Sequence, residues 1–255
     1  MPDPKAKLSI VVPAYNEQHR LRRTLDRIRD YAARHGQRFE LIIVDDGSRD
    51  ETAAVVREYM QEHGIEWLDV RLLSNETNRG KGFSVRRGML EAQAERILMC
   101  DADLSAPIEE LEKLHGGLDR GYDIAIGSRD MPDSVLDPPQ PLTRRLMAWT
   151  FRALRRRVLL PEIRDTQCGF KLFRRAAAVE IFSRQTIDGW IFDCEVLGLA
   201  ERLGFRIKEV GVHWRHHPDS RVRPVRDWFH AWKDLRRIRR KLAKMPTNPA
   251  GHDVT

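Results

Sequence analysis

Short apolar runs that alternate with segments of helical spacing constrain this chain more than any other feature. The apolar runs lie at residues 8–12, 39–44, 70–73 and 96–100. The segments with helical spacing lie at residues 16–33 and 82–95, and a further helix that SRDE (48–51) would open runs to about residue 62. Near-continuous apolar strands joined by helical crossovers are typical of a mostly parallel sheet that is covered by helices on both faces. We therefore predict an α/β fold with such a central sheet.

Polar clusters follow three of the predicted strands directly. PAYNE (residues 13–17) follows the first strand, DDGS (45–48) follows the second, and DAD (101–103) follows the fourth. In open α/β sheets, ligands bind beyond the carboxyl ends of the strands. The three clusters therefore predict one functional site at a single edge of the sheet. SRDE (48–51) also has the spacing of a capping box, which predicts that Ser48 caps the helix that follows.

Composition excludes several classes of protein. The chain has 255 residues, of which 41% are hydrophobic and 33% charged, which is unlike a disordered or collagen-like chain. Its three cysteines are unclustered and indicate a reducing compartment. No apolar run approaches the about 18–20 residues of a membrane span. We expect a cytoplasmic protein, soluble or peripheral, without a signal peptide.

Asp101 and Asp103 are the candidate metal ligands. Mg²⁺ and Mn²⁺ are commonly held by one or two carboxylates together with the phosphates of a substrate. An aspartate pair can also cap a helix, and Ser105 stands where a helix could begin. The position directly after a buried strand, beside other acids at strand ends, favours the metal site.

The other two elements of the predicted site suggest nucleotide binding. Asp45 and Asp46 could hydrogen-bond a base or a ribose, or could simply belong to a turn between strand and helix. NRGKG (residues 78–82) offers flexible backbone and the cation Lys81 where a diphosphate could lie. It matches neither a P-loop nor a dinucleotide fingerprint, since Val85 occupies the position of the third glycine.

Taken in order, PAYNE, VDDGSRDET, NRGKG and DAD resemble the inverting glycosyltransferases of family 2, which have the GT-A fold. The resemblance covers about residues 8–240. A narrower resemblance is carried by GSR (127–129), IRDTQCGFKLFRR (163–175) and WIFDCE (190–195). These resemble the branch of dolichyl-phosphate β-glucosyltransferases and their bacterial polyprenyl-phosphate relatives. The family uses a nucleotide sugar with Mg²⁺ or Mn²⁺, and this branch transfers the sugar to a polyprenyl phosphate.

Carried over to this sequence, the resemblance implies a role for each matching residue. On the donor side it implies contacts with the nucleotide sugar from Pro13, Tyr15, Glu17, Asp45, Asp46, Lys81 and Asp101, with Asp101 and Asp103 at the metal. On the acceptor side the candidates are Arg129, Arg164, Gln167 and Lys171. The three cations could equally form surface salt bridges. Ser105 departs from related mannosyltransferases, which often have glutamine there as a further metal ligand. This departure favours the glucosyl branch.

The acceptor decides whether a general base is needed. A lipid phosphate is already anionic and requires cations, not a base. A hydroxyl acceptor would require Asp193 or Glu195 to take a proton. The alternative for these two acids is an ordinary helix start.

Positive charge is concentrated near the C-terminus. Residues 205–245 have a net charge of +9, against +7 for the whole chain. We predict a catalytic domain over 1–225, a basic amphipathic helix over 226–245 and a flexible tail over 246–255. Trp228, Trp232, Leu235 and Leu242 form an apolar stripe, which could lie on a membrane surface or pack on the core. A second segment, residues 144–157, mixes arginines with large apolar residues and allows the same two interpretations. No recognised motif for nucleic acid accompanies the charge.

The leading hypothesis is a metal-dependent transferase that moves glucose from UDP-glucose to a polyprenyl phosphate at the inner face of a membrane. Two alternatives keep the enzyme class, namely a hydroxyl acceptor or another donor such as GDP-mannose. A third alternative is a nucleotide-sugar-binding protein that has lost catalysis.

Overall fold

The computed structural model describes residues 6–63, 66–137, 155, 159–215 and 224–246, with side chains of the last segment from Ala231 onward. Within these residues, seven strands form one sheet in the order β3-β2-β1-β4-β7-β5-β8, and β6 pairs with β9. The strands are β1 (Leu8–Ala14), β2 (Phe39–Asp45), β3 (Leu68–Ser74), β4 (Arg96–Cys100), β5 (Ile124–Ser128), β6 (Val135–Asp137), β7 (Phe170–Arg174), β8 (Ile207–Gly211) and β9 (His213–Arg215).

The sheet is mostly parallel, as predicted. β1 is parallel to β2 and β4, β2 is parallel to β3, and β5 is parallel to β8. β7 lies between β4 and β5 and runs antiparallel to both. The carboxyl ends of β1, β2 and β4 therefore meet at one edge, with the start of β7 beside them.

Helices cover both faces of the sheet. They are α1 (Leu21–Arg34), α2 (Thr52–Glu62), α3 (Lys81–Glu91), a 3₁₀ turn (Ile108–Glu110), α4 (Leu111–Asp119), α5 (Arg175–Phe182), α6 (Phe192–Arg202) and α7 (Pro224–Ala243). Successive side chains of β1 point to opposite faces. Ile10 and Val12 pack with α1, α2 and α4, whereas Val11 packs with α3, α5 and α6. The predicted layers are confirmed.

Helix α1 begins later than predicted, at Leu21 instead of residue 16. The intervening residues form contacts with the loop after β2, which hold them out of a helix. The predicted capping box is wrong. Glu51 is the N-cap residue of α2 and makes no side-chain cap, while Asp50 Oδ1 accepts the Thr52 N–H at 3.0 Å. Ser48 bonds across to the first strand's loop instead of capping α2.

Part of the apolar stripe of α7 packs on the core, whereas Trp232 is only partly buried. Leu235 and Ile238 are fully buried and Leu242 is nearly so. A Cβ added at Gly198 of α6 would lie 2.5 Å from Leu242 Cδ1, so the two helices are in close contact. Leu235 and Leu242 therefore cannot face a membrane, which corrects the interfacial interpretation for these two residues. The side chain of Trp228 lies outside the described residues.

The second basic segment also differs from the membrane interpretation at its one described position. Arg155 is fully buried, and its guanidinium donates to the carbonyl groups of Leu160, Ile163 and Arg164. The remainder of that segment falls outside the residues that the structure describes. Across the described part of the chain, no helix combines the length and the apolar character that crossing a membrane requires.

Candidate functional site at the carboxyl ends of β1, β2 and β4

The three predicted polar clusters lie together at one edge of the sheet. The Asp46 N–H donates to the Ala14 carbonyl at 2.8 Å, and the Asn75 N–H donates to the Asp45 carbonyl at 2.8 Å. These bonds join the ends of β1, β2 and β3. The sheet thus places the loops after its strands side by side, as the sequence predicts.

Side chains tie the loop after β1 to the loop after β2. The Asn16 N–H donates to Ser48 Oγ at 2.9 Å, and the Arg49 N–H donates back to Asn16 Oδ1 at 2.8 Å. The Glu17 N–H donates to Thr52 Oγ1 at 2.7 Å. Asn16 has a φ of +53°, in the left-handed region that asparagine tolerates better than most residues. These hydrogen bonds fix the PAYNE loop in place. Its predicted donor-binding residues Pro13, Tyr15 and Glu17 are all partly buried.

Asp45 and Asp46 are both buried and serve the loops. Asp45 Oδ1 accepts the Ser48 N–H at 3.1 Å. Asp46 Oδ1 accepts the Arg79 N–H at 2.9 Å and Oδ2 accepts the Gly80 N–H at 2.8 Å. Asn75 Nδ2 also donates to Asp46 Oδ1, at 2.8 Å. Asp46 therefore holds the NRGKG loop in place, and its carboxylate is used inside the fold instead of pointing at a ligand.

The NRGKG loop leads into α3 and presents Lys81 at its first turn. Gly80 has a φ of +102°, which excludes most L side chains, and a Cβ at Gly82 would lie 2.5 Å from the Ile187 carbonyl oxygen. Lys81 Nζ lies 2.5 Å from Asp101 Oδ1 and 5.3 Å from the ring centroid of Trp190. Burial alone would lower the pKa of Lys81, but the nearby carboxylates, with Asp101 the largest contributor, raise it. Lys81 therefore stays positively charged.

Asp101 and Asp103 lie at the end of β4 with their side chains partly accessible. The Asp101 side chain is 27% exposed. Asp103 Oδ1 accepts the Ser105 N–H at 2.9 Å within the loop, and the next helical turn begins at Ile108 without a side-chain cap, so Asp103 caps no helix. A Cβ at Gly169 would collide with the Asp101 carboxylate. The glycine of the CGF turn is thus required for Asp101 to occupy its place.

The two carboxylates fit a divalent cation by the chemistry of their donor atoms, which are the hard oxygens that Mg²⁺ and Mn²⁺ prefer. Among the residues that the structure describes, they are not joined by a third His, Cys, Asp or Glu into a full protein cage. A pair of this kind suits a cation whose remaining ligands are phosphate oxygens and water.

Arg129 follows β5 and forms a two-pronged ion pair with Asp165. Arg129 Nε lies 2.6 Å from Asp165 Oδ2, and its Nη2 lies 2.9 Å from Oδ1. The guanidinium carbon also lies 5.0 Å from the ring centroid of Trp214. Burial would raise the pKa of Asp165, but Arg129 holds it well below its usual range. The Arg129 side chain is 23% exposed, whereas that of Asp165 is 4% exposed.

The buried position of Lys171 contradicts its predicted role as an acceptor contact. Its side chain is fully buried in β7, and its Nζ donates to the Cys168 carbonyl at 2.5 Å and to Asp193 Oδ1 at 2.6 Å. A lipid phosphate cannot reach it. Burial raises the pKa of Asp193, although Lys171 and Lys81 act in the opposite direction. Asp193, itself 3% exposed, is therefore a buried counterion of Lys171.

Glu195 is also occupied within the fold, which argues against the predicted role of proton acceptor. It is fully buried, and its carboxylate accepts the Thr186 N–H at 2.8 Å and the Ile187 N–H at 2.7 Å. Lys241 Nζ lies 2.6 Å from Glu195 Oε1. Each predicted base is thus the partner of a lysine.

Comparison with known proteins agrees with this arrangement. The family model described as Glycosyl transferase family 2 matches residues 9–182. Dolichyl-phosphate beta-glucosyltransferase of Homo sapiens is 37% identical over 247 residues, which cover 92% of this chain and 76% of that protein. The enzyme of the same name from Drosophila melanogaster is 37% identical over 243 residues, covering 91% of this chain and 74% of that protein.

The chain belongs to glycosyltransferase family 2. A solved structure of glucosyl-3-phosphoglycerate synthase from Mycobacterium tuberculosis, in complex with Mn²⁺, UDP and glucosyl-3-phosphoglycerate, has a TM-score of 0.67 to this glycosyltransferase. The match covers 95% of this chain and 81% of that one at 20% identity, so it establishes the shared fold. The predicted GT-A fold and enzyme class are confirmed.

The remaining acceptor candidates of this glycosyltransferase lie near Arg129. The Gln167 N–H donates to Asp165 Oδ1 at 3.0 Å, and its Nε2 lies 3.7 Å from Cys194 Sγ. The Arg164 side chain is exposed, while its N–H donates to Glu209 Oε2 at 2.8 Å. Both residues stay predictions as acceptor contacts.

Sequence reasoning did not identify Asp165 or Trp190. Both stand within the quoted motifs, but neither received a role. The pairing of Asp165 with Arg129 joins residues 36 positions apart, for which no local pattern exists. Trp190 is 52% exposed, which is unusual for a residue of its size. A large aromatic residue directly before a helix start was the available signal.

Proposed function

We propose that this glycosyltransferase moves glucose from UDP-glucose to the phosphate of a polyprenyl lipid, with Mg²⁺ or Mn²⁺. The observation that carries the choice of acceptor is the state of the two candidate bases. Asp193 pairs with Lys171 and Glu195 pairs with Lys241, and both carboxylates are buried. A hydroxyl acceptor needs a base that can reach its proton, whereas a phosphate acceptor does not.

The donor would lie along the edge formed by β1, β2 and β4. We assign the uridine to the part of this edge that is formed by Pro13, Tyr15, Glu17 and Asp45. Lys81 and Asp101 would face the ribose and the diphosphate. Asp46 would act indirectly, since it fixes the loop that carries Lys81. The 37% identical relatives carry beta-glucosyltransferase in their names, which supports glucose as the sugar.

Asp101 and Asp103 would hold the divalent cation. When bound, the cation would neutralise part of the negative charge of the diphosphate. Lys81 acts in the same direction, because it keeps its positive charge next to Asp101. The neighbour's complex contains Mn²⁺, which supports a divalent metal here.

The reaction would be a single displacement at the anomeric carbon of the sugar. A phosphate oxygen of the lipid forms the new bond to C1 while the bond from C1 to the diphosphate breaks, and UDP leaves with the electron pair. Arg129 would hold the acceptor phosphate, with Arg164 and Gln167 beside it. Asp165 keeps the Arg129 guanidinium in one orientation, which lowers the entropic cost of binding.

A lipid acceptor requires contact with a membrane. The exposed side of α7 carries five cations that suit an anionic surface, namely Lys233, Arg236, Arg237, Arg239 and Arg240. Each such cation near the surface contributes about 1 kcal/mol of attraction. We propose peripheral binding at the inner face of the membrane through this basic surface, not through the buried Leu235 and Leu242 of α7.

The test is a transfer assay with purified protein, a polyprenyl phosphate in detergent and radiolabelled donor. We expect label in the lipid with UDP-glucose and Mn²⁺ or Mg²⁺, and loss of transfer when EDTA is added. Equal or faster labelling from GDP-mannose would contradict the choice of donor. Absence of labelling from every common nucleotide sugar would contradict the proposed function as a whole.

A further inference from the structure

One segment connects the C-terminal helix to the candidate donor site. Residues 184–190, here called the bridging segment, lie between α7 and the NRGKG loop. The segment contacts α7 through Lys241 and ends at Trp190, beside Lys81.

On the side of α7, the bridging segment is held by a buried carboxylate and one lysine. Glu195 accepts the N–H groups of Thr186 and Ile187 at 2.8 and 2.7 Å, and the Thr186 hydroxyl at 2.8 Å. Lys241 Nζ lies 2.6 Å from Glu195 Oε1 and also donates to the Arg184 carbonyl. Lys241 therefore supplies the positive charge that balances a fully buried carboxylate.

On the other side, the bridging segment packs against the NRGKG loop and the first turn of α3. Gln185 Nε2 donates to the Gly82 carbonyl at 2.8 Å, and the Phe83 N–H donates to the Asp188 carbonyl at 3.2 Å. A Cβ at Gly80 would collide with the same Asp188 carbonyl. The loop and the segment thus leave no space between them, and a shift of one requires a shift of the other.

The bridging segment ends on the side chains that would meet the donor. Trp190 is 52% exposed, and Lys81 Nζ lies 5.3 Å from its ring centroid. Lys81 in turn lies 2.5 Å from Asp101 Oδ1. A continuous set of contacts therefore leads from α7 to the carboxylate that would hold the metal.

We propose that Lys241 is a positioning residue for donor binding, which acts through Glu195 and the bridging segment on Lys81 and Trp190. The proposal rests on the proposed function and extends it, because it makes α7 a part of the donor site. Removing the lysine would leave Glu195 buried without its counterion. The carboxylate would then need water in place of the ammonium group, and its hold on the bridging segment would weaken.

The test compares Lys241→Met with Lys244→Met in the full-length chain. Both variants remove one lysine near the C-terminal end of the helix, but Lys244 is exposed. Binding of UDP-glucose in the presence of Mn²⁺ is measured by titration calorimetry. We expect Lys241→Met to raise the Kd about tenfold. Lys244→Met should bind as the unsubstituted chain does, and Lys241→Arg should recover most of the affinity.

A second measurement follows the bridging segment without any ligand. Hydrogen exchange of the Thr186, Ile187 and Phe83 amides should become faster in Lys241→Met. Exchange within β1 should stay unchanged, which shows that the fold persists. Steady-state kinetics should show a raised KM for UDP-glucose and an unchanged KM for polyprenyl phosphate, a split that general destabilisation does not produce.

The outcomes separate the two proposals. If the unsubstituted chain fails to bind UDP-glucose, the proposed function is wrong. If it binds and Lys241→Met binds equally well with unchanged exchange at Thr186 and Ile187, only the positioning role is wrong. Should Lys241→Met not fold, Lys241→Gln replaces it, because a neutral amide can still donate to Glu195. An unchanged Kd in that folded variant would overturn the role of the charge.

Discussion

The charged side chains on the donor side of this glycosyltransferase differ in accessibility from those on the acceptor side. At the carboxyl ends of the parallel strands, Asp101 and Asp103 keep partly accessible carboxylates. Around the antiparallel strand β7, charges are joined in pairs within the fold. These pairs are Arg129–Asp165 and Lys171–Asp193.

The difference follows from where each charge lies in the sheet. A residue that follows the last residue of a parallel strand enters a loop, where solvent and ligands can reach it. Lys171 lies within β7, with β4 on one side and β5 on the other, so its ammonium group is enclosed and needs a counterion. We infer that Asp101 and Asp103 on the donor side are groups for ligands, whereas most acceptor-side charges maintain the structure.

The largest effect of a single substitution is expected at Lys171. Lys171→Met leaves Asp193 buried without a partner, and we expect a loss of about 3–5 kcal/mol in the free energy of unfolding. Urea denaturation measures it. The double variant Lys171→Met with Asp193→Leu should recover much of the loss, because neither charge then remains buried.

The double variant also tests the role of Asp193. We expect it to retain transfer to polyprenyl phosphate to the extent that it folds. If its stability returns but transfer stays absent while UDP-glucose still binds, Asp193 takes part in the reaction and the two sides are less distinct than we infer.

The second largest effect is expected at Asp103, on the donor side. Asp103→Asn should lower kcat/KM by about 10²–10³-fold, the cost of removing one group that stabilises charge in a transition state. Stability should change little, because the side chain is partly accessible and an amide oxygen can still accept the Ser105 N–H. Asp119→Asn, at an exposed salt bridge of α4, is the control and should keep full activity. A loss of stability instead of activity would place Asp103 with the structural charges.

A smaller effect is expected at Asp165, the partner of Arg129. Asp165→Asn removes the charge that orients the guanidinium, and we expect the KM for polyprenyl phosphate to rise about tenfold. The Kd for UDP-glucose should stay the same, because the pair lies on the acceptor side. Equal effects on both substrates would show that the two sides are not separate at this position.

The smallest effect concerns Glu201 of α6, whose pKa is raised to about 7 by burial and by Glu162. Because the folded state then holds the proton more tightly than the unfolded chain, this carboxyl lowers stability as pH rises from about 4.5 to about 7. Glu201→Gln should therefore raise the Tm at pH 8 by about 2–4 °C, which corresponds to about 1 kcal/mol. At pH 4 the variant and the unsubstituted chain should melt alike. A gain of the same size at both pH values would exclude titration of Glu201 as the cause.

The sequence predicts the fold and the donor edge well, because both depend on local patterns. The strand at residues 39–44 is apolar except at Glu40, and the acids that follow it had to lie at the strand end. The start of α1 was placed too early, since the bonds from Asn16 and Glu17 to the neighbouring loop are not local.

The acceptor side is predicted less well, for a physical reason. The local sequence around Lys171 and Glu195 is the same whether their side chains face a ligand or a buried partner. Their partners are 22 and 46 positions away in the chain, and only the folded structure brings them together. The motif identifies the family correctly, but it does not reveal which of its charges are accessible.

The most direct test of the central claim compares two acceptors that differ by one group. Purified protein receives UDP-glucose and a divalent metal with either a polyprenyl phosphate or the polyprenol of the same length. We predict transfer of glucose to the phosphate alone, because the candidate bases are buried in ion pairs. Transfer to the free hydroxyl at a comparable rate would contradict the account.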